Sequence, residues 1–222
     1  MKKLHTISAV LAVLTVLAAA GAAPAAVLWD QSDYDAQGMA SWFDSVSGCF
    51  PFGSTVHAAN DIHVWDHVTI QRITTWYTPF NFDTGAGTEA YLYITPKTGD
   101  LPADATDLPQ QGGTLVGITV TQNPDNGMWI VVADGLSVSL APGDYWVSLT
   151  PILPSGPWGG DTHLRALSAW GVPSAYYEYC GEGASTWTAV PDSGDLSLLI
   201  EGTVDIVPTE STTWGGAKAL FR

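Results

Sequence analysis

Apolar and polar residues alternate along most of this chain in short pieces, and turn-forming residues separate the pieces. Period-two or continuous apolar runs of strand length occupy Thr55–Val64, His67–Tyr77, Glu89–Thr95, Thr114–Thr121, Met128–Ala133, Leu136–Leu140, Asp144–Thr150, Leu164–Trp170 and Leu196–Val204. Between them lie Asp83-Thr84-Gly85, Pro96 to Asp100, Asn123 to Gly127, Ala141 to Asp144 and Ser193-Gly194-Asp195. From Ala26 onward no segment sustains a helical apolar period. The pattern predicts an all-β fold: a single jelly-roll-like antiparallel β-sandwich over residues 26–207.

The same period assigns faces. In Glu89–Thr95, Ala90, Leu92 and Ile94 share one face and Tyr91 and Tyr93 the other, which predicts a central strand. In the run from Tyr145, the residues Tyr145, Val147 and Leu149 face the core. Trp146, Ser148 and Thr150 are expected on a half-exposed face. In the run from His67 the apolar phase slips from Val68 and Ile70 to Ile73, Thr75 and Tyr77, which predicts a β-bulge at Gln71-Arg72. Ser32–Phe52 and Pro151–Trp187 are aromatic and irregular, and long loops of that kind often carry function.

The first residues read as an export leader. Lys2 and Lys3 precede an apolar stretch, Ile7 to Ala20, and Ala23-Pro24-Ala25 offers small residues for cleavage before Ala26 or Val27. Residues 1–25 are therefore expected to be a signal peptide, and the protein to be secreted, extracellular or held at the cell surface. No later run is long enough to span a bilayer, so the mature form is expected to lack a transmembrane segment.

Composition narrows the partners. The chain carries 22 acidic against seven basic residues, a formal net charge of −15, and losing Lys2 and Lys3 deepens it. Such a surface repels nucleic acid and anionic lipid, and suits a neutral glycan, a cationic partner, divalent cations or simple solubility. Ten Trp and eight Tyr exceed what one core needs. Cys49 and Cys180 most simply form one disulfide in an exported chain, with free thiols or an intermolecular bond as the alternatives.

Several short elements follow one another along the chain: VLWDQ (Val27–Gln31), Asn60-Asp61-Ile62, WDHVTIQRITTW (Trp65–Trp76), PGDYWVSL (Pro142–Leu149), SAW (Ser168–Trp170) and LSLLIEGTV (Leu196–Val204). This order resembles a loosely defined group of exported bacterial β-sandwich domains. Ile62-His63 departs from that group's usual Asp-Phe pair, and the group supplies no catalytic residues to carry over. The segment PTESTTWGGAKALFR, residues 208–222, resembles a W-G-x-x-K-x-L-F-R ending that recurs on otherwise unrelated exported bacterial proteins. The resemblance implies a sorting or attachment address read by an export or attachment machine. Pro208 ends the last strand and leaves this tail separable from the domain.

No motif reaches a catalytic signature. His63 and His67 stand about 13 Å apart on a strand, too far for one metal. The Asp-rich loops at Asp83, Asp100–Asp107, Asp125-Asn126 and Asp192 with Asp195 read as turns, with a structural calcium as the cofactor they would take. Glu89, Glu178, Glu182 and Glu201 are the acids to inspect for paired-carboxylate hydrolysis, and Glu89 and Glu201 could project from one sheet. The aromatic group Trp158, Trp170, Tyr176, Tyr177 and Trp187 is the candidate ligand platform, set against a second small core under a long loop. The expected function is a non-catalytic exported module that binds a glycan or envelope component; a sandwich-type glycoside hydrolase is the alternative.

Overall fold

The computed structural model describes residues 25–40, 43–44, 49–50, 53–78, 88–102, 112–153, 162–167, 175–179, 187–189 and 194–205, several of them by backbone alone. Fifteen strands form in chain order: β1 (Ala26–Gln31), β2 (Tyr34–Ala40), β3 (Phe43–Asp44), β4 (Cys49–Phe50), β5 (Gly53–Val64), β6 (Val68–Tyr77), β7 (Glu89–Pro96), β8 (Thr114–Gly117), β9 (Thr119–Gln122), β10 (Trp129–Leu140), β11 (Gly143–Leu153), β12 (Thr162–Ala166), β13 (Ala175–Tyr179), β14 (Thr188–Ala189) and β15 (Leu198–Val204). Among the described residues no helix forms. The expected leader and the 208–222 tail lie outside the described residues.

The strands build two sheets. One runs β1-β15-β6-β10-β9, with β12 joining β6 to β2; the other runs β14-β13-β5-β11-β7-β8, with β3 and β4 attached to β11 and β5. Among the described residues all pairings are antiparallel except β3 with β11. Eight principal strands face each other as β1-β15-β6-β10 and β5-β11-β7-β8. In chain order these are the first, eighth, third and sixth opposite the second, seventh, fourth and fifth. The all-β, antiparallel architecture expected from the sequence is what forms.

The core lies between the sheets. Ile62 and Val64 of β5, Ala90 and Leu92 of β7, and Val147, Leu149 and Leu153 of β11 meet Val68, Ile70, Ile73 and Tyr77 of β6, Val131 and Ala133 of β10, and Leu198 and Ile200 of β15. These are the inward positions of the period-two pattern. A polar clamp crosses the same space: the Asn60 side-chain amide donates to the carbonyl of Leu196, and its oxygen accepts from the Leu196 N–H.

The bulge falls where the phase slip places it. On β15, Glu201 pairs with Arg72 and Gly202 pairs with Ile70, so Gln71 is the extra residue on β6. The other neighbour accommodates it too: β10 shifts register between Asp134 and Val138 opposite the same point, with Gly135 at a φ of +69°. Gly202 is required there because the backbone of β6 comes close. A Cβ at Gly202 would sit 2.1 Å from the Thr69 carbonyl oxygen and 3.0 Å from the Ile70 Cα. Gly202→Ala is therefore expected to cost about 2 kcal/mol or more by overpacking, read as a lower urea midpoint with an unchanged m-value.

Two runs behave differently from their expected form. Thr114–Thr121 is split: β8 pairs with β7 in one sheet, β9 pairs with β10 in the other, and the chain crosses at buried Ile118. Met128–Ala133 and Leu136–Leu140 are one strand, β10, kept continuous through its bulge.

The half-exposed face expected for β11 is corrected. Trp146, Ser148 and Thr150 are each at most 1% exposed. A second, smaller core of Ala59, Trp146, Ala175 and Trp187, with Leu101 against it, covers the outer side of this sheet. Ser148 and Thr150 survive burial by hydrogen bonding to each other at 3.1 Å, and Thr150 bonds His57 Nδ1 at 3.0 Å. Period two separates two faces; it does not tell which of them another layer will cover.

Candidate functional site

At one end of the sandwich the chain passes from β5 to β6 through Trp65-Asp66-His67, and the layers splay around a pocket of about 130 Å³. Its walls come from four strands: Val27, Leu28 and Trp29 of β1, Ile62, His63 and Val64 of β5, Val68 and Ile70 of β6, and Ile200 and Val204 of β15. The walls are apolar because they are the continuation of the inward rows of the main core. The mouth is different. Trp65 is 73% exposed, and Val27 and Val204 are also largely exposed.

Trp65 is positioned by one of the wall residues. Its ring meets the imidazole of His63 edge-on, with centroids 4.0 Å apart. His63 is in turn held by Asp144, its cross-strand partner on β11, whose carboxylate oxygen lies 2.7 Å from Nδ1. A carboxylate only accepts, so Nδ1 carries the proton of that bond. The far wall is also braced: the Trp29 indole N–H donates to Gln31 at 2.7 Å, and the Gln31 amide donates to buried Asp195. The exit of β15 is fixed, with the Asp205 N–H donating to the His67 carbonyl at 2.7 Å and the Thr69 hydroxyl donating to the Asp205 carboxylate at 3.0 Å. The result is a ring-sized apolar pocket lined also by one aromatic blade, Trp65, and one carboxylate, Asp66. An apolar cavity of roughly 150 Å³ accepts benzene, which sets the scale of the group this one can take.

Of the aromatic residues singled out in the sequence, the described one falls elsewhere. Trp187 is 5% exposed and packed in the second small core, so it is not an open platform. Trp158, Trp170 and the side chains of Tyr176 and Tyr177 lie outside the described residues. Cys180 does too, although the strand registers set Cys49 opposite Ser54 and Tyr179, its chain neighbour, opposite Thr55 of β5.

Glu89 and Glu201 do not project from one sheet, as the sequence allowed. Glu89 begins β7 and Glu201 lies on β15 in the opposite sheet. Glu201 flanks Arg72, 3.6 Å away, in a cross-strand row with Asp134, which approaches Arg72 to 2.8 Å. The hydrogen bond from Arg72 holds the Asp134 carboxyl below the usual carboxylate range. Glu178 is described by backbone alone, and Glu182 lies outside the described residues.

His63 and His67 do not converge, since one pairs with Asp144 and the other sits in the exposed connection. Among the described residues no group of three or more His, Cys, Asp or Glu is placed to hold a metal. The Asn123–Met128 loop is held as a turn by its own side chains, through Asp125 N–H to Asn123 and Met128 N–H to Asn126. Also among the described residues, no helix is long and apolar enough to cross a membrane.

The Trp65 pocket was not singled out from the sequence. Its signal was present: WDH interrupts two strand patterns with a tryptophan that belongs to neither face. No family model, curated protein or solved structure matches this chain.

Proposed function

We propose that this protein is a non-catalytic, exported β-sandwich module that binds a neutral glycan or a glycan-bearing envelope component, with the Trp65 pocket as its binding site. The observation that carries the reading is the exposed Trp65 standing over a ring-sized apolar pocket. A pyranose ring has an apolar C–H face that stacks on an indole, while its hydroxyls seek a carboxylate and an imidazole around the mouth. Asp66 and His63 occupy that position. Mixed lining of this kind, mainly apolar with a few polar groups, is the usual make-up of a small-molecule site. The leader supports an extracellular or cell-surface location, and the shared end of β5 that Cys49 and the neighbour of Cys180 approach supports the disulfide.

Trp65→Ala is expected to weaken binding of soluble oligosaccharides by about thirtyfold, the scale of losing roughly 2 kcal/mol at a tryptophan hot spot. Isothermal titration against a panel of neutral oligosaccharides, after a glycan-array screen, measures it. Equal affinity in the parent and the variant would overturn the assignment of the site.

A further inference from the structure

The walls of the pocket limit what can enter it. Its floor is the end of the main core: Ile62, Val64, Val68, Ile70 and Ile200 line it, and each is 8% exposed or less. The polar groups of the lining are few and partly engaged. The Trp29 indole N–H, a lone donor, goes to Gln31, and the His63 Nδ1–H goes to Asp144. In the neutral ring the other His63 nitrogen is an acceptor, and the Asp66 carboxylate also only accepts. A hydroxyl carried down to the aliphatic floor gives up its water and meets no side-chain partner there. That weakens binding by about tenfold or more for each hydroxyl. A pyranose bears hydroxyls all around its ring, so its place is the mouth, on the exposed Trp65, where Asp66 and His63 can accept from it.

The space of about 130 Å³ then remains for something else. An apolar cavity of roughly 150 Å³ stays dry and binds benzene, so the group that matches this one is apolar and of about that size. Charge narrows the class further. Asp66 in the lining, Asp144 behind His63 and a formal net charge of −15 oppose a carboxylate or phosphate headgroup beside that group. We propose that the pocket receives an uncharged apolar substituent of about six carbon atoms, alkyl or aryl, borne by the glycan, while the sugar itself stacks on Trp65 outside. The ligand class is thereby a neutral glycoconjugate, not a bare polysaccharide. This deepens the proposed function and rests on Trp65 being a glycan-binding residue.

The test titrates the full mature chain with methyl, butyl, hexyl and octyl β-D-glucoside, each below its micelle concentration, by isothermal calorimetry. Affinity is expected to rise by up to about fourfold per added methylene until about six carbons fill the space, and then to level off. Val27 and Val204 line the pocket and are 58% and 47% exposed, so a larger side chain at either one fills it from the rim and spares the core. Val27→Phe and Val204→Phe are each expected to abolish the dependence on chain length. An affinity that does not change from methyl to hexyl in the parent would overturn the proposal. So would a dependence of equal slope in both variants, since the alkyl chain would then bind elsewhere. Neutral oligosaccharides that bind through Trp65 as tightly as hexyl glucoside would leave the glycan reading standing and overturn this inference. If 1-hexanol binds the parent as tightly as hexyl glucoside and is excluded by Val27→Phe, the apolar pocket stands and the glycan reading falls.

Discussion

Replacing Lys97 by methionine is expected to destabilise the protein by about 3–5 kcal/mol, the largest effect of any single change considered for this fold. Lys97 follows β7 and reaches across the outer face of its sheet to the Asp61 carboxylate on β5. Both side chains are largely buried, at 16% and 5% exposure. The ammonium also lies 5.2 Å from the centroid of Trp146, so it is shared between a carboxylate and an aromatic face. Methionine keeps the length and apolar volume of the stem and removes only the charge. The Asp61 carboxylate then stays buried next to Trp146 without its cation. Removing both charges together, as Asp61→Asn with Lys97→Met, is expected to recover most of the loss, because a buried ion pair adds little net stability over a well-packed neutral pair. Urea unfolding of the two single variants and the double variant measures the coupling. A Lys97→Met variant within about 0.5 kcal/mol of the parent, the range of ordinary surface changes, would refute this account of the second core.

Acid is expected to remove stability through His163 well before most carboxylates protonate. The imidazole is buried in β12, stacked on Tyr77 with centroids 4.9 Å apart, and its Nε2 donates to the Ser197 carbonyl at 2.7 Å. Burial disfavours its charged form and pushes its pKa down to about 4, against the partly offsetting hydrogen bond to Ser197. The folded state therefore stays neutral at His163 while the unfolded chain takes up a proton below the ordinary histidine pKa near 6.5. The unfolded state binds more protons throughout that window, so stability rises with pH across it. The full contribution is present above pH 6.5 and is lost progressively as pH falls toward about 4. The loss amounts to roughly 3 kcal/mol at 1.36 kcal/mol per pKa unit. Urea midpoints measured at several pH values between 7 and about 4 should show it, and His163→Gln should be less stable at neutral pH yet flatter across the same range. Equal acid slopes in parent and variant would show that His163 titrates as it does in the unfolded chain.

Much of the architecture was legible in local pattern. The inward rows of β6, the bulge at Gln71 and the central place of β7 follow from period two, because one residue of slip exchanges the two faces of a strand. Burial of the outer face was not legible. Trp146, Ser148 and Thr150 alternate with core residues as a solvent-facing row would, and only the packing of Leu101 and Trp187 from distant parts of the chain encloses them. The same layer took Trp187 from the expected ligand platform into a core. Asn60 and Asp61 stood out as a short motif without a stated reason. The fold supplies one: Asn60 points inward and clamps Leu196, and Asp61 points outward and holds Lys97.

The sequence by itself determined most of the principal strands, their inward faces and the position of the bulge. Each of these depends on neighbours within a few residues, through side-chain alternation and backbone sterics. Tertiary structure alone decided which strands share a sheet, that Thr114–Thr121 is divided between both sheets, and that Glu89 and Glu201 stand in opposite ones. It also decided that β1, the β5–β6 connection and the end of β15 meet to form a pocket under Trp65. Those outcomes are pairings between segments far apart in the chain. The free energy of such a pairing lies in area buried jointly by both partners, and no local window contains both.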